Sequence, residues 1–218
     1  MFMENSRFKI LIAVLASAAL VSGGLLVFIL MTVTIVTPAQ LRNDALFVYD
    51  SPITLDEFSL TNQDEEVFTN ESLQGRWSLI FFGYTYCPDI CPITLASIKQ
   101  FYDLLKDSGD TTDVQVIMVS VDPERDTSEV LGNYVRYFNP DFIGATGDYT
   151  DVYRMARNMN LTFNYTRIDD DNYLVNHNGE VMLIDPLGNN VGFLKPPYEP
   201  QKMLDNFQAI KSYSESLD

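Results

Sequence analysis

The chain has 218 residues, 46% of them apolar and 20% charged, a composition typical of a globular protein and not of a disordered one. It carries 30 acidic and 14 basic residues, so its formal net charge is −16. Such an acidic surface repels nucleic acid and anionic lipid headgroups, and we expect no nucleic-acid partner.

The first 40 residues contain a long apolar segment. The run from Ile10 to Val36 has no charged side chain, and its 27 residues exceed the about 20 that a helix needs to cross a bilayer. Arg7 and Lys9 precede it, and the positive-inside rule places such residues in the cytoplasm. The sequence therefore predicts a single-pass protein of the inner (cytoplasmic) membrane. Residues 1–9 are then cytoplasmic, residues 10–36 form a transmembrane helix, and the remainder lies on the periplasmic side.

A cleaved signal peptide is the alternative interpretation of this segment. The apolar part of a signal peptide is usually about 7 to 15 residues long and ends at a small-residue cleavage site. The run here is much longer and lacks a clear Ala-x-Ala exit, which favours an uncleaved anchor. Residues 37–57 mix proline, aspartate and short apolar pieces, and we expect a tether and an edge segment before a domain over residues 58–218.

The order of elements in that domain predicts its fold class. Apolar and polar residues alternate on either side of an Asn-Gln-Asp-Glu turn, which indicates a hairpin over Phe58–Thr69. The mainly apolar run Arg76–Thr85 indicates a strand buried on both faces. Apolar residues at helical spacing indicate a helix that follows this strand and ends at Gly109. The later elements are a strand over Val114–Asp122, helices over Ser128–Phe138 and Tyr149–Asn160, strands between Leu161 and Leu194, and a helix over Gln201–Ser212. This order predicts an α/β domain with three layers and a mixed sheet.

Both cysteines of the chain lie in the segment CPDIC, close after the strand Arg76–Thr85. Reactive groups of α/β sheets gather at the carboxyl ends of strands, and a helix N-terminus stabilises a thiolate over a thiol. Cys87 and Cys91 are four residues apart, so a helical turn through them would point both sulfurs to one side. Pro88 suits the first position of such a helix, and Pro92 stiffens the segment.

Several chemistries are open to this pair. A structural disulfide would close a very short loop and contribute little entropic stabilisation. A thioredoxin-type dithiol normally has two intervening residues, whereas this pair has three, a spacing that fits a chelate better. Two thiolates leave a metal site incomplete, and the single histidine, His177, at the end of the strand-like run NYLVNH, is the natural third ligand. Structural zinc expects four protein ligands, whereas two soft thiolates with one imidazole suit copper, as Cu(I) or Cu(II).

Three separated blocks of the chain resemble one known family. TYCPDICP (85–92), VSVDPERDT (119–127) and YLVNHNGEVMLIDPLG (173–188) are similar to the signature blocks of the Sco/SenC family. They occur in the family's order and behind an apolar anchor segment. The resemblance implies a membrane-anchored protein with a thioredoxin-like fold and an N-terminal hairpin.

That resemblance also implies a function and partners. Family members take part in assembling the copper A centre of cytochrome c oxidase, so the implied partners are the oxidase subunit carrying that centre and another copper chaperone as donor. The implied copper ligands are Cys87, Cys91 and His177. The implied protein is a metallochaperone, which carries copper without turnover of a substrate. Two alternatives stay open. One is a thiol–disulfide oxidoreductase that keeps the oxidase cysteines reduced, with Cys87 attacking and Cys91 resolving; the other is a redox sensor in which a disulfide and copper exclude each other.

One residue departs from the family pattern. The family usually has aspartate directly before the histidine, whereas Asn176 stands there in this chain. We expect the missing carboxylate to affect redox behaviour more than copper binding. Asp89 and Asp122 match acidic positions of the family motifs and are candidates for supporting the ligands or for facing a partner. Their ordinary alternatives are a helix-start acid and a loop cap.

Overall fold

The computed structural model describes residues 12, 14–17, 19, 21–24, 37–109, 114–169 and 172–215. The chain forms two compact units, Met1–Thr37 and Pro38–Asp218. In the first unit, residues 12, 14–17, 19 and 21–24 are helical. Most of the anchor predicted over residues 10–36 lies outside the described residues. Within the described part of the chain, no helix combines the length and the apolar character that a membrane span requires.

The second unit contains ten strands and five α-helices among its described residues. The strands are β1 (Leu46–Thr54), β2 (Ser59–Asn62), β3 (Val67–Thr69), β4 (Trp77–Gly83), β5 (Val114–Ser120), β6 (Ile143–Thr146), β7 (Phe163–Arg167), β8 (Tyr173–His177), β9 (Val181–Ile184) and β10 (Asn189–Leu194). The helices are α1 (Pro38–Leu41), α2 (Ile90–Asp107), α3 (Ser128–Phe138), α4 (Tyr149–Asn158) and α5 (Pro200–Glu215). Eight strands form one sheet in the order β1-β10-β9-β4-β5-β6-β2-β3. Both parallel and antiparallel neighbours occur in it, which confirms the predicted α/β fold with a mixed sheet.

The middle of this sheet is built from two mainly apolar strands. β4 and β5 are buried along their whole length and run parallel, with Trp77 opposite Val114 and Gly83 opposite Ser120. Burial on both faces explains why their sequences do not alternate between apolar and polar residues. Because parallel strands end at the same edge of a sheet, the loops after Gly83 and Ser120 leave the sheet side by side.

Helix α2 follows the loop after β4 and turns one apolar face into the core. Its buried apolar side chains recur at helical spacing, as predicted, and include Leu95, Ile98, Phe101 and Leu105. The Phe101 ring meets that of Phe207 on α5 edge to face, with ring centroids 5.7 Å apart. This contact joins α2 and α5, so the start of α2 is held by a packed helix pair.

The helix begins later than the sequence predicted. Asp89 directly precedes its first turn, so Pro88 lies outside the helix and its prediction as the first helical residue is wrong. The chain is still turning before this point, where the Cys87 N–H donates to the Tyr84 carbonyl at 3.3 Å. Cys87 therefore lies in a turn, and Cys91 lies in the first turn of α2.

Residues 37–57, predicted as a tether and an edge segment, fold with the domain. β1 pairs antiparallel with β10 at one edge of the large sheet, and Leu46 and Val48 are buried in the core. Arg42 secures the start of this strand, since its Nε donates to the Val48 carbonyl at 2.7 Å. The compact unit accordingly begins at Pro38, ahead of residue 58.

Two hairpins occupy different places in the fold. β2 and β3 form the hairpin predicted at the start of the domain and join the large sheet. β7 and β8 form a separate two-stranded sheet that pairs Phe163 with His177 and Arg167 with Tyr173. Phe163 and Val175 are buried, whereas most of the other hairpin side chains are exposed or partly exposed. His177 is the last residue of this second hairpin.

Candidate metal centre

Cys87, Cys91 and His177 lie together beyond the end of β4. Their candidate ligand atoms, two sulfurs and one imidazole nitrogen, all lie within 4.8 Å of one another, although His177 is 86 residues beyond Cys91. The Cys91 Sγ is 3.5 Å from the His177 Nε2. Cys91 is buried, whereas Cys87 and His177 are partly exposed. The structure thus brings together the three residues that the sequence predicted as ligands.

The two cysteines have opposite protonation preferences. The Cys91 N–H lies in the first turn of α2 and has no acceptor within the helix. It points instead at the Cys87 Sγ, 3.5 Å away. Hydrogen bonding from the Cys91 thiol, together with bonds from the backbone, lowers the pKa of Cys87 to about 3 and outweighs the effect of burial. The hydrogen bond between the two sulfurs, together with burial, raises the pKa of Cys91. These opposite shifts favour a thiolate at Cys87 and a protonated thiol at Cys91 in the reduced, metal-free site.

We expect the alkylation rate of Cys87 to be nearly constant from about pH 5 to pH 8, because a group with a pKa of about 3 stays ionised over that range. An ordinary thiol, with a pKa of about 8.5, loses its thiolate about tenfold per pH unit on acidification. The measurement is iodoacetamide labelling of the reduced, metal-free protein, followed by mass spectrometry. Cys87→Ser should leave only slow labelling at Cys91. A Cys87 rate that falls tenfold per unit below pH 8 would contradict the assignment.

Neither Cys87 nor Cys91 is part of a disulfide in the described structure. It therefore represents the reduced pair, and the disulfide expected for the redox alternatives stays a prediction. The reduced pair is the form that can bind a metal, because metal ligation requires thiolates.

The imidazole of His177 is oriented by its neighbours. Its Nδ1 lies 2.6 Å from the carbonyl oxygen of Asn178, which assigns the ring proton to Nδ1 as the donor of that hydrogen bond. The lone pair of Nε2 then faces Cys91. The rings of Phe81 and Tyr84 meet the imidazole edge to face, with centroids 5.9 and 6.0 Å away. Histidines that bind metals are normally held in this way, by a hydrogen bond at the nitrogen that does not bind.

The last residue of β4 has to be small. A Cβ placed on Gly83 would lie 3.1 Å from the Cys91 Sγ and 2.7 Å from a ring carbon of Phe81. Interiors are close-packed, so a larger residue would displace the sulfur or the ring that supports His177. Sequence reasoning missed Gly83, because its importance follows from how close α2 approaches β4.

A buried carboxylate fixes the loop that carries Cys87. Asp126 is 0% exposed and accepts hydrogen bonds from the Thr85 N–H at 3.0 Å, the Thr85 hydroxyl at 2.5 Å and the Ser120 hydroxyl at 2.6 Å. Burial raises the pKa of Asp126, while the bonds from Ser120 and Thr85 oppose that shift. Since Ser120 ends β5 and Thr85 follows β4, Asp126 ties the two loops together. Sequence reasoning missed it, although it lies in the quoted block VSVDPERDT.

The two acids that the sequence singled out differ in position. Asp89 is exposed, directly before α2. Asp122 is 0% exposed and is paired with Arg125, with 2.5 Å between its Oδ2 and the Arg125 Nε. A buried carboxylate cannot contact a partner protein, so the partner-facing interpretation of Asp122 is wrong. Its role lies inside the domain.

Asn176 is directed away from the metal centre. Neighbouring residues of a strand point to opposite faces, and His177 uses the inner face of β8. The Asn176 amide donates across the hairpin to the Asn164 Oδ1 at 3.1 Å and to the Thr166 hydroxyl at 2.7 Å. It therefore stabilises the outer face of the hairpin.

The donor set suits a soft metal ion with few ligands. With bonds of about 2.0 to 2.3 Å, as zinc makes to imidazole and thiolate, a trigonal site needs donors about 3.5 to 4 Å apart. The three donors here, within 4.8 Å of one another, approach that spacing. Among the described residues, no further histidine, cysteine or carboxylate joins these three as a fourth donor, so a structural zinc site would be incomplete. Two thiolates with one imidazole are ligands that copper prefers.

A model of the SCO1/SenC family matches residues 49–212, a range that includes all three candidate donors. The chain belongs to the SCO1/SenC family. This confirms the relationship that the three sequence blocks predicted.

Individual Sco proteins are similar over most of the chain. Protein SCO2, mitochondrial, of Saccharomyces cerevisiae is 34% identical over 215 residues, an alignment that covers 97% of this chain and 69% of the yeast protein. The crystal structure of Arabidopsis thaliana ScoI with copper bound is 34% identical and has a TM-score of 0.68, covering 72% of this chain and 98% of that one. A structure of BsSco is 25% identical and has a TM-score of 0.58, covering 77% and 97%. BsSco is described as having a disulfide switch and as a member of the Sco family of cytochrome c oxidase assembly proteins. These similarities confirm the predicted Sco-type, thioredoxin-like fold.

Proposed function

We propose that this protein binds copper through Cys87, Cys91 and His177 and delivers it to the copper A centre of cytochrome c oxidase, or assists assembly of that centre. The observation that carries the proposal is the convergence of two sulfurs and one imidazole nitrogen within 4.8 Å. The copper-bound Arabidopsis relative supports the choice of metal, and the description of BsSco supports the destination. Copper is then a cargo, and the protein acts as a metallochaperone without substrate turnover.

The exposure of the three donors suits uptake and release by ligand exchange. Cys87 and His177 are partly exposed, so a ligand from a partner protein can replace one of them while the buried Cys91 retains the ion. Three protein ligands also leave room for an incoming one. Because Cys87 is already a thiolate, uptake of copper displaces only the proton of Cys91.

The surface beside the cysteines suits the docking of a partner protein. Tyr86, Ile90 and Ile93 are exposed by 61%, 42% and 56%. Grouped aromatic and aliphatic side chains are typical of the centre of a protein interface. We therefore assign this surface to the two expected partners, a donor copper chaperone and the oxidase subunit that carries the copper A centre.

The proposal includes a membrane anchor. The uncharged run Ile10–Val36, with Arg7 and Lys9 before it, supports a single span of the inner membrane with the domain on the periplasmic side. The alignment with yeast SCO2, over 97% of this chain, extends into that segment. Alkaline extraction of membranes should leave the full chain in the pellet and release a variant that begins at residue 37. Release of both would contradict the anchor.

The variant His177→Ala separates a copper carrier from a thiol reductase. Loss of the imidazole should weaken copper binding and stop copper A assembly in cells, whereas exchange with a model disulfide should continue because both thiols remain. The measurements are the copper A absorbance of isolated membranes and the rate of reaction with an aromatic disulfide. Normal copper A assembly with His177→Ala would show that the carrier site is wrong.

A thiol–disulfide oxidoreductase is the second candidate, favoured by the asymmetry of the cysteine pair. The Cys87 thiolate would attack a target disulfide and form a mixed disulfide. Cys91, after losing its proton, would displace the target thiolate, which leaves a Cys87–Cys91 disulfide and two reduced target cysteines. An external thiol would have to reduce the pair before the next cycle. In the redox-sensor variant, the same disulfide excludes copper.

Restoring the family's usual residue with Asn176→Asp should change Cu(I) affinity less than about twofold, because position 176 lies on the outer face of the hairpin and an exposed charge is screened by solvent. Competition with a chromophoric Cu(I) chelator measures the affinity. Asn164→Asp, across the strand pair, is the matched control for added charge on the same face. A change of more than tenfold in Asn176→Asp alone would show that a carboxylate at 176 reaches the ligands.

A further inference from the structure

His177 stands on a hairpin that is not part of the large sheet. Among the described strands, β7 and β8 pair only with each other. Burial of Phe163, opposite His177, and of Val175, at the middle of the hairpin, attaches it to the domain core. Apolar burial is non-directional, so it does not by itself set the angle at which the hairpin lies. Ligand positions have to be held to within about 0.5 Å in a working site, which requires further support.

The far end of the hairpin is held by polar contacts. The Tyr173 hydroxyl donates to the Asp122 Oδ1 at 2.6 Å, and the Arg125 Nη1 donates to the Tyr173 carbonyl at 3.3 Å. The Arg125 guanidinium carbon also lies 3.8 Å from the centre of the Tyr173 ring, a cation–π contact. On β7, the Tyr165 hydroxyl donates to the Val121 carbonyl at 2.8 Å. These contacts are directional and join both hairpin strands to the loop after β5.

Asp122 lies in a segment that is hydrogen-bonded to the end of β4, the strand that precedes the cysteine loop. Its N–H donates to the Ser120 hydroxyl at 3.0 Å, and the neighbouring Val121 N–H donates to the carbonyl of Gly83, which ends β4, at 2.9 Å. The buried Asp122 carboxylate is shielded from water, where charge-assisted hydrogen bonds are strong. Burial, aided by the bond to Asp122, raises the pKa of Tyr173 to about 12, so the Tyr173 hydroxyl remains a donor.

We infer that Asp122, Arg125 and Tyr173 form a clamp that positions His177 over the two cysteines and thereby sets the copper affinity of the site. They are positioning residues, since the candidate donors among the described residues are the two cysteines and His177. Tyr173 and His177 share the inner face of β8, so a tilt at one end of this short strand moves the imidazole at the other. The inference rests on the proposed function, because it concerns copper held at that site.

A double-mutant cycle tests the clamp. Tyr173→Phe removes one hydroxyl and keeps the ring, and it should weaken Cu(I) binding about tenfold, at the lower end of the losses seen when the support of a metal ligand is removed. In a His177→Ala background the same change should alter the affinity less than about twofold, because the clamp acts through the imidazole. Affinities are measured on the reduced full chain in detergent, by competition with a chromophoric Cu(I) chelator. Tyr137→Phe, on a side chain that is 85% exposed, is the matched control and should change nothing in either background.

The possible failures are distinguishable. Equal losses in the two backgrounds, or no loss in either, overturn the clamp and leave the copper site intact. An unchanged affinity for His177→Ala alone overturns the proposed copper site, and the clamp with it. If Tyr173→Phe does not give a folded protein, Arg125→Lys replaces it in the cycle, since it keeps the charge but loses the planar guanidinium. The same tenfold and twofold results are then expected, and a different pattern overturns the clamp.

Discussion

Replacing Cys91 by serine should lower the affinity for Cu(I) by more than about 100-fold, because removing only the support behind a metal ligand already costs about 10- to 100-fold. Cys91 supplies the buried sulfur of the site, 3.5 Å from the imidazole nitrogen of His177. A serine hydroxyl is a harder ligand with little preference for copper. The measurement is competition with a chromophoric Cu(I) chelator on the reduced protein, together with circular dichroism to show that the variant is folded.

Ser108→Ala, at the other end of the same helix, is the control for the cysteine variant. Its affinity should equal that of the unmodified chain, because Ser108 caps the C-terminus of α2, a full helix length from Cys91. A folded Cys91→Ser variant whose affinity stays within tenfold of that of the unmodified chain would contradict the assignment of Cys91 as a ligand.

Asp126→Ala should lower the free energy of unfolding by about 2 to 3 kcal/mol or more, since a buried donor left without its acceptor costs about 1 to 3 kcal/mol. The change removes the acceptor of the Thr85 N–H and of the Thr85 and Ser120 hydroxyls. At about 2 to 4 °C per kcal/mol for a domain of this size, the midpoint of thermal unfolding should fall by roughly 4 to 12 °C. Copper affinity should fall as well, because Thr85 lies in the loop that carries Cys87.

Two further variants make this second prediction specific. Asp126→Asn keeps one acceptor oxygen and avoids burying a charge, so it should lose less stability than Asp126→Ala. Asp103→Ala removes an acid from an exposed ion pair with Lys99 and should change stability by less than about 1 kcal/mol. Thermal and urea unfolding measure all three. If Asp126→Ala is as stable as Asp103→Ala, Asp126 does not anchor the loop.

The elements of the fold were predictable because their signals are local. The run Arg76–Thr85 was predicted as a strand buried on both faces, and β4 within it is buried over its whole length. Ser128–Phe138 was predicted as a helix and forms α3 with those bounds. The start of α2 was not predictable in the same way. Pro88 satisfies the rules for a first helical residue, but a turn at Thr85 and Tyr86 occupies the chain just before it and delays the helix to Ile90.

The ligands of the metal centre could be predicted from the sequence, but the residues that hold those ligands in place could not. With two cysteines and one histidine in the chain, few sets of soft ligands were possible. The supports depend on which loops lie side by side. Asp126 and Thr85 are 41 residues apart, and Tyr173 and Asp122 are 51 apart. The first contact follows from the parallel pairing of β4 with β5, which places both loops at one edge of the sheet. The second depends on where the separate β7–β8 hairpin packs.

Titration of the reduced full chain with Cu(II), followed by absorbance, tests most directly whether Cys87, Cys91 and His177 form one copper site. Binding should saturate at about one copper per chain and give a sulfur-to-copper charge-transfer band. The band should vanish in Cys87→Ser and change in energy or intensity in His177→Ala. The same stoichiometry and an unaltered band in Cys87→Ser would contradict the proposed site.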